Sequence, residues 1–256
     1  MTTEPASAAP VMTGRATSGH VPTTHDQGGT GLPTWDRALV VVAHPDDESF
    51  GLGGVIESLV RAGTDVSVLC LTAGEASSHG AGPDLKQVRA AELDAAARVL
   101  GVRSTVLRHH PDGGLSDHLP ALVTDVTTAV VQHEPDGLLV FGAGGGVTGH
   151  PDHEAATTAA LTVAADQGLP VLQWRLPDTV AHTLNDEFNA AFTGFAPEEL
   201  PIVIRVDRRR QRQAIAAHAS QAVPGSVLWR RLDLLGDLEY LHLTPPPTPD
   251  QPRIQE

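Results

Sequence analysis

Cysteine is almost absent. The 256-residue chain carries one, Cys70, which excludes an internal disulfide and any multi-cysteine zinc or iron–sulfur site. Cys70 lies in the apolar run Val66-Ser67-Val68-Leu69-Cys70-Leu71, where burial raises a thiol's pKa, so it reads as a core residue and not as a nucleophile. Aromatic residues make up 4 % of the chain, too few for nucleic-acid bases to stack on aromatic platforms. Basic side chains are outnumbered by acidic ones, 17 to 31, for a formal charge of −14. That balance repels phosphate backbones and speaks against nucleic acid or an anionic membrane surface as the main partner. No apolar stretch approaches the ~20 residues needed to cross a bilayer. The N-terminus also lacks the charged start and apolar segment of a secretory signal. A soluble cytoplasmic protein without a membrane span is expected.

What the chain has is a 41 % hydrophobic content, enough to bury a full core, and 13 histidines. Residues 1–34 are rich in Thr, Ser, Gly, Pro and Ala without periodicity and read as a disordered N-terminal tail. Residues 244–256, with Pro245-Pro246-Pro247, read as a Pro-rich C-terminal tail. The folded domain is expected over 35–243. Within it, short apolar strands alternate with helical patterns. Strands are expected at 37–43, 65–72, 102–107 and 137–141, with weaker candidates at 171–176 and 202–206. Helices are expected at 53–62, 84–100, 119–133 and 153–167, with Gly101 as a C-cap and Pro135 following the third. The alternation predicts an α/β fold: a Rossmann-like three-layer arrangement with a mostly parallel sheet and a less regular C-terminal part. In such sheets ligands bind outside the carboxyl ends of the strands.

The polar residues concentrate there. The first strand runs into Ala43-His44-Pro45-Asp46-Asp47-Glu48, and the fourth into a glycine-rich stretch ending His150-Pro151-Asp152-His153-Glu154. One His-Pro-Asp reads as a turn, since Pro presets the backbone and Asp caps the next helix. Two copies at two strand ends, both at the ligand-binding edge, read as a metal site instead. Imidazole and carboxylate suit zinc and related divalent ions, and a catalytic zinc takes three protein ligands and leaves a position for water. Spacing alone does not separate His150 from His153 as a ligand.

The paired motifs AHPDDE and HPDH resemble those of the LmbE-like or PIG-L family of zinc-dependent N-acetylglucosaminyl deacetylases, which includes the mycothiol-pathway deacetylase and amidase. The likeness covers roughly residues 37–243. It includes Gly53-Gly54, Thr72-Ala73-Gly74-Glu75, Arg89 and Glu92 on one helix, Pro111-Asp112-Gly113 and His218-Ala219-Ser220-Gln221. The resemblance implies removal of an N-acetyl or other N-acyl group from a glucosamine-type sugar or glycoconjugate. It implies Zn2+, or Fe2+ in its place, held by His44, Asp47 and His153. It makes Asp46 the general base, sets His150 at the substrate carbonyl, has Asp152 orient a histidine, and gives Arg89 and Asp112 to the substrate. It leaves the role of His218 open, along with the aglycone, the oligomeric state and the choice between deacetylase, conjugate amidase and antibiotic-tailoring deacylase.

Bland readings stand beside several of these. Arg89 and Glu92, three apart, read as a helix ion pair; Asp112 as a shaper of the Pro-Asp-Gly-Gly turn; and Glu48 as a helix cap or a partner near the metal. His109, His110, His133 and His182 read as surface or loop residues. Arg208-Arg209-Arg210 and Arg212 read as a solvated helix face. A dinucleotide-dependent oxidoreductase is disfavoured because Gly51-Leu52-Gly53-Gly54 comes too late after the first strand. A sugar- or metal-binding protein without catalysis is disfavoured because Asp46 and all three implied ligands are present. Substrate choice is expected in the loops at 74–88, 109–118 and 178–200.

Overall fold

The computed structural model describes residues 31–79 and 82–247. The elements run β1 (Arg37–Val42), α1 (Asp47–Phe50), α2 (Gly53–Ala62), β2 (Asp65–Thr72), α3 (Leu85–Leu100), β3 (Ser104–His110), α4 (Leu119–His133) and β4 (Gly137–Phe141). They continue with α5 (Pro151–Gln167), β5 (Val171–Arg175), α6 (Asp178–Phe188), β6 (Ile202–Arg205), α7 (Arg208–Ala217), α8 (Val227–Leu235) and β7 (Leu238–Thr244). The seven strands form one sheet in the order β3-β2-β1-β4-β5-β7-β6. β1 to β5 are parallel to one another, and β7 lies antiparallel between β5 and β6.

The strands are apolar on both faces because both faces are covered. Ala38, Val40 and Val42 of β1 join one core cluster with Val55, Ile56 and Leu59 of α2 and Leu93, Ala96 and Leu100 of α3. Leu39 and Val41 point the other way, into a second cluster with Leu122 and Val126 of α4 and Ala156, Ala159 and Val163 of α5. This is the expected helix–sheet–helix layering. Cys70 is fully buried in the first cluster, and burial pushes its thiol pKa up. Gly101 closes α3 at φ 80°, its N–H reaching back to the carbonyls of Ala97 and Arg98.

The C-terminal part departs from the βαβ rhythm. β7, absent from the expected strands, enters by pairing Val171 with Thr244 and Arg175 with Tyr240. Thr244 is therefore the last residue of a strand and not the start of a tail, because the ladder to Val171 holds it. Two buried cations stabilise this part. Arg208 pairs with Glu239 and Gln211, which removes it from the solvated face expected for its cluster. Arg231 lies over the Trp174 ring at 4.9 Å and donates to the Phe50 carbonyl. His110 is half-buried against Asp125 of α4 at 2.7 Å, so it too is more than a loop residue.

The expected N-terminal tail lies outside the described residues except for 31–34, and the expected C-terminal tail except for 244–247. Leu32 packs on the first core cluster, as does Trp35. The Trp35 ring lies where a side chain on Gly137, the first residue of β4, would project. Overpacking of this kind costs about 1–3 kcal/mol. Gly137→Ala is expected to lower the unfolding free energy by that amount, seen as a lower midpoint of chemical denaturation with an unchanged slope.

A candidate metal centre where the strand order reverses

β1 stands beside β4, and the chain leaves them toward opposite sides of the sheet: β2 lies beyond β1, and β5 beyond β4. This reversal opens the crevice in which doubly wound sheets bind ligands. The loops after β1 and β4 both end there, and they carry the two His-Pro-Asp elements.

His44, Asp47 and His153 come together with one ligand-type atom each, all within 4.8 Å of one another. His44 Nδ1 lies 3.2 Å from His153 Nε2, and Asp47 Oδ1 lies 3.1 Å from the same His153 nitrogen. Asp47 is fixed by accepting the His44 backbone N–H at 2.9 Å. The remaining imidazole nitrogens are engaged elsewhere. His44 Nε2 faces Asp112 at 3.0 Å and Asp152 at 3.3 Å, and His153 Nδ1 meets Thr148 Oγ1 at 2.6 Å. An outer partner on each distal nitrogen is the usual device for aiming the other nitrogen at a metal. Two imidazole nitrogens and a carboxylate facing one another form a donor set that fits zinc or ferrous iron.

Burial disfavours a charged His44, but the carboxylates of Asp112, Asp152 and Asp47 outweigh it and raise the pKa well above the ordinary histidine value. Burial alone would raise the pKa of Asp47, yet His153 and His44 hold it well below the carboxylate range. A second group, His44, His150 and Asp152, also clusters. Its members are otherwise committed: Asp152 accepts the backbone N–H groups of Gly113 and Leu115 at 2.7 and 3.0 Å, and its own N–H donates to His150 Nδ1 at 3.1 Å. That bond makes His150 the tautomer with hydrogen on Nε2. Burial and the neighbouring His44 and His153 lower its pKa, which favours this neutral form. Asp152 thus holds His44 by its side chain and His150 by its backbone.

Asp46 precedes Asp47 and turns to Arg89. Its carboxylate lies 3.2 Å from Arg89 Nη2. Burial, opposed by Arg89 and reinforced by Asp47, lifts its pKa from 3.8 to about 6. Arg89 is 3 % exposed and also donates to the carbonyls of Pro45 and Gly74. The helix ion pair with Glu92 does not form. Glu92 accepts instead from the N–H and hydroxyl of Ser220, at 2.8 and 2.7 Å. Asp112 accepts the Ala76 N–H at 2.7 Å in addition to facing His44, so it does more than shape a turn. Gly74, at φ 65°, is required because a side chain there would run into the Arg89 guanidinium.

Above these residues opens a cavity of about 480 Å3. The three loops expected to set substrate choice contribute Ala76 and Ser77, Asp112 and Gly113, and Ala190 to Phe192; Gln221, Val227 and Leu228 add a wall from the C-terminal part. Sequence reasoning did not single out Thr148 or Glu154. Glu154 accepts the N–H groups of Gly145 and Gly146, both at 2.8 Å, and so shapes the glycine-rich loop that presents Thr148. An acid in the first turn of a helix that follows such a loop was the available signal.

Fold and donor set define an α/β domain with a mostly parallel sheet and, at its switch point, a His–Asp–His group that could hold a metal ion. The chain belongs to the PIG-L family: the family described as PIG-L, GlcNAc-PI de-N-acetylase, matches residues 39–164. A relative from Rhodococcus erythropolis, 1D-myo-inositol 2-acetamido-2-deoxy-alpha-D-glucopyranoside deacetylase, is 30 % identical over 238 residues, covering 72 % of this chain and 81 % of the relative. A probable N-acetyl-alpha-D-glucosaminyl L-malate deacetylase 2 of Bacillus subtilis is 31 % identical over 140 residues, covering 49 % of this chain and 59 % of that protein's length. The fold is shared with the A40926 pseudoaglycone deacetylase Dbv21, at a TM-score of 0.65 and 23 % identity, over 83 % of this chain and 99 % of that one.

Replacing His153 with Ala is expected to weaken zinc binding by more than the Thr148→Val change, which removes only an outer partner and should cost about 10- to 100-fold. Equilibrium dialysis of both variants checks the ranking. Equal affinities for wild type and His153→Ala would remove His153 from the ligand set.

Proposed function

We propose that the protein hydrolyses an N-acyl bond, an N-acetyl group in the simplest case, on a glucosamine-type sugar or glycoconjugate. The observation that carries the reading is a part-buried carboxylate, Asp46, next in the chain to Asp47 of the His44–Asp47–His153 group and held 3.2 Å from Arg89 Nη2. A divalent metal held by those three residues, zinc or ferrous iron, would polarise the amide carbonyl and lower the pKa of water. The chain supplies the rest.

Asp46 accepts a proton from the attacking water as the new oxygen–carbon bond forms, and a carboxylate with a pKa near 6 is ionised at neutral pH and able to do so. His150 faces the cavity with hydrogen on Nε2 and donates to the carbonyl oxygen as its negative charge develops. When the carbon–nitrogen bond breaks, the proton held on Asp46 passes to the departing nitrogen, giving a free amine and a carboxylic acid. Arg89 and Asp112 line the cavity, which supports a substrate role for them. Their hydrogen bonds within the protein support a positioning role: Arg89 aims Asp46, and Asp112 aims His44.

A second reading, hydrolysis of a larger conjugate or a longer acyl group, is favoured by Phe192, Val227 and Leu228 on the cavity wall, which offer an apolar surface that a bare N-acetyl sugar does not need. Release of primary amine by the zinc-loaded protein is the decisive measurement, across N-acetylglucosamine compounds from the free sugar to inositol- and lipid-linked forms. Amine above a metal-stripped control is the expected result and ranks the aglycones. No release from any of them would exclude the deacetylase reading and leave the conjugate one. Asp46→Asn should retain metal while turnover falls about 10²- to 10⁴-fold, and a wild-type rate would remove Asp46 as the base.

A further inference from the structure

Asp46 has a backbone conformation that a non-glycine residue rarely adopts, φ 122° and ψ −26°. Such a residue persists only where its surroundings hold it. Its carbonyl accepts the N–H groups of Ser49 and Phe50 at 3.0 and 2.8 Å. Its N–H donates to Glu48 Oε2 at 3.0 Å. The other oxygen of Glu48 is held from two sides, by the Ser49 hydroxyl at 2.6 Å and by His218 Nε2 at 2.7 Å. Glu48 and His218 are both 0 % exposed. A carboxylate removed from water needs such a partner.

His218 arrives from the far end of the chain. It closes α7, its N–H donating to the Ile215 carbonyl and its own carbonyl accepting the N–H groups of Gln221 and Ala222. The two residues that follow Ala219 anchor it: Ser220 to Glu92 of α3, and Gln221 to Ser77 at 2.8 Å. Neither Glu48 nor His218 lines the cavity.

We propose that Glu48 and His218 form a positioning pair that fixes the backbone of Asp46 and so aims its carboxylate, which lets His218 act on the reaction although it does not line the cavity. The catalytic half of this proposal rests on Asp46 acting as the base; the geometric half stands on its own. A leucine at 218 removes the donor to Glu48, whereas a glutamine carries an amide N–H to a similar reach.

In the full-length, zinc-loaded protein, His218→Leu is expected to lower kcat about 10- to 100-fold, the effect of a small misplacement of a reacting group. KM and bound zinc should stay near wild type, and His218→Gln should recover most of the loss. Amide hydrogen exchange supplies a readout independent of activity. The Asp46 N–H should exchange about tenfold faster or more in His218→Leu, and in Glu48→Gln, while the amides of β1 keep their protection. Unchanged protection of the Asp46 N–H would overturn the proposal. Loss of zinc, or of β1 protection, in His218→Leu would also overturn it, by showing a general structural role. Should Asp46→Asn hydrolyse at the wild-type rate, the base assignment falls, and the exchange of the Asp46 N–H still decides the pair.

Discussion

The parallel pairing of β1 with β4 is the constraint on which the site depends. It aligns Ala38 with Gly137, Leu39 with Leu138 and Val40 with Leu139, and the two strands end side by side. Each then releases a loop carrying a His-Pro-Asp element. His44 and His153 lie 109 positions apart in the chain, yet their ring nitrogens approach to 3.2 Å. The register of this pairing sets where the two strands end relative to one another, so the packing of the sheet also specifies the distance between the two histidines. Gly137 makes this pairing compatible with Trp35 packed against it.

Electrostatics sets the second constraint. Asp46, Asp47, Glu48, Asp112 and Asp152 converge on a small volume, and carboxylates taken out of water must be paired or protonated. Arg89 answers Asp46, His218 answers Glu48, and backbone N–H groups answer Asp152 and Asp112. Burial lowers the pKa of His218, but the charge and hydrogen bond of Glu48 more than offset it and raise it. What remains is Asp47 between two imidazoles, the position a divalent cation suits. Asp46 is the exception among the carboxylates. Burial and the charge of Asp47 outweigh Arg89, His218 and His44, and that imbalance separates Asp46 from Asp47, one residue away, whose carboxyl is held low.

The parts legible in the sequence were those written in local patterns. Continuous apolar runs announced β1, β2 and β4 because both faces of those strands are covered, and Gly101 marked the end of α3 because a left-handed cap there needs glycine. The two His-Pro-Asp elements were legible because strand ends and ligand-type residues coincided. Partners distant in the chain were not. Arg89 has Glu92 one helical turn away, and no sequence pattern tells that its guanidinium turns instead to the loop after β1. β7 escaped because Glu239, Tyr240 and His242 interrupt its apolar residues, although Glu239 is buried against Arg208 and Trp174. His218 had no local reason to be buried; its reason is Glu48, 170 positions earlier.

The C-terminal part therefore does more than extend the sheet. α7 packs on α2 and α3, Gln211 of α7 donates to the carbonyls of Ser49 and Phe50 in α1, and Arg231 of α8 donates to the same Phe50 carbonyl. Three side chains from 170 or so residues downstream thus converge on α1, with His218 reaching it through Glu48. α1 is a four-residue helix whose own hydrogen bonds could not hold it in isolation. It carries Asp47 and Glu48 and follows directly on Asp46. The strained turn that carries Asp46 and Asp47 is thereby built by β1 but held by the C-terminal part, so its geometry requires both halves of the molecule to be folded together.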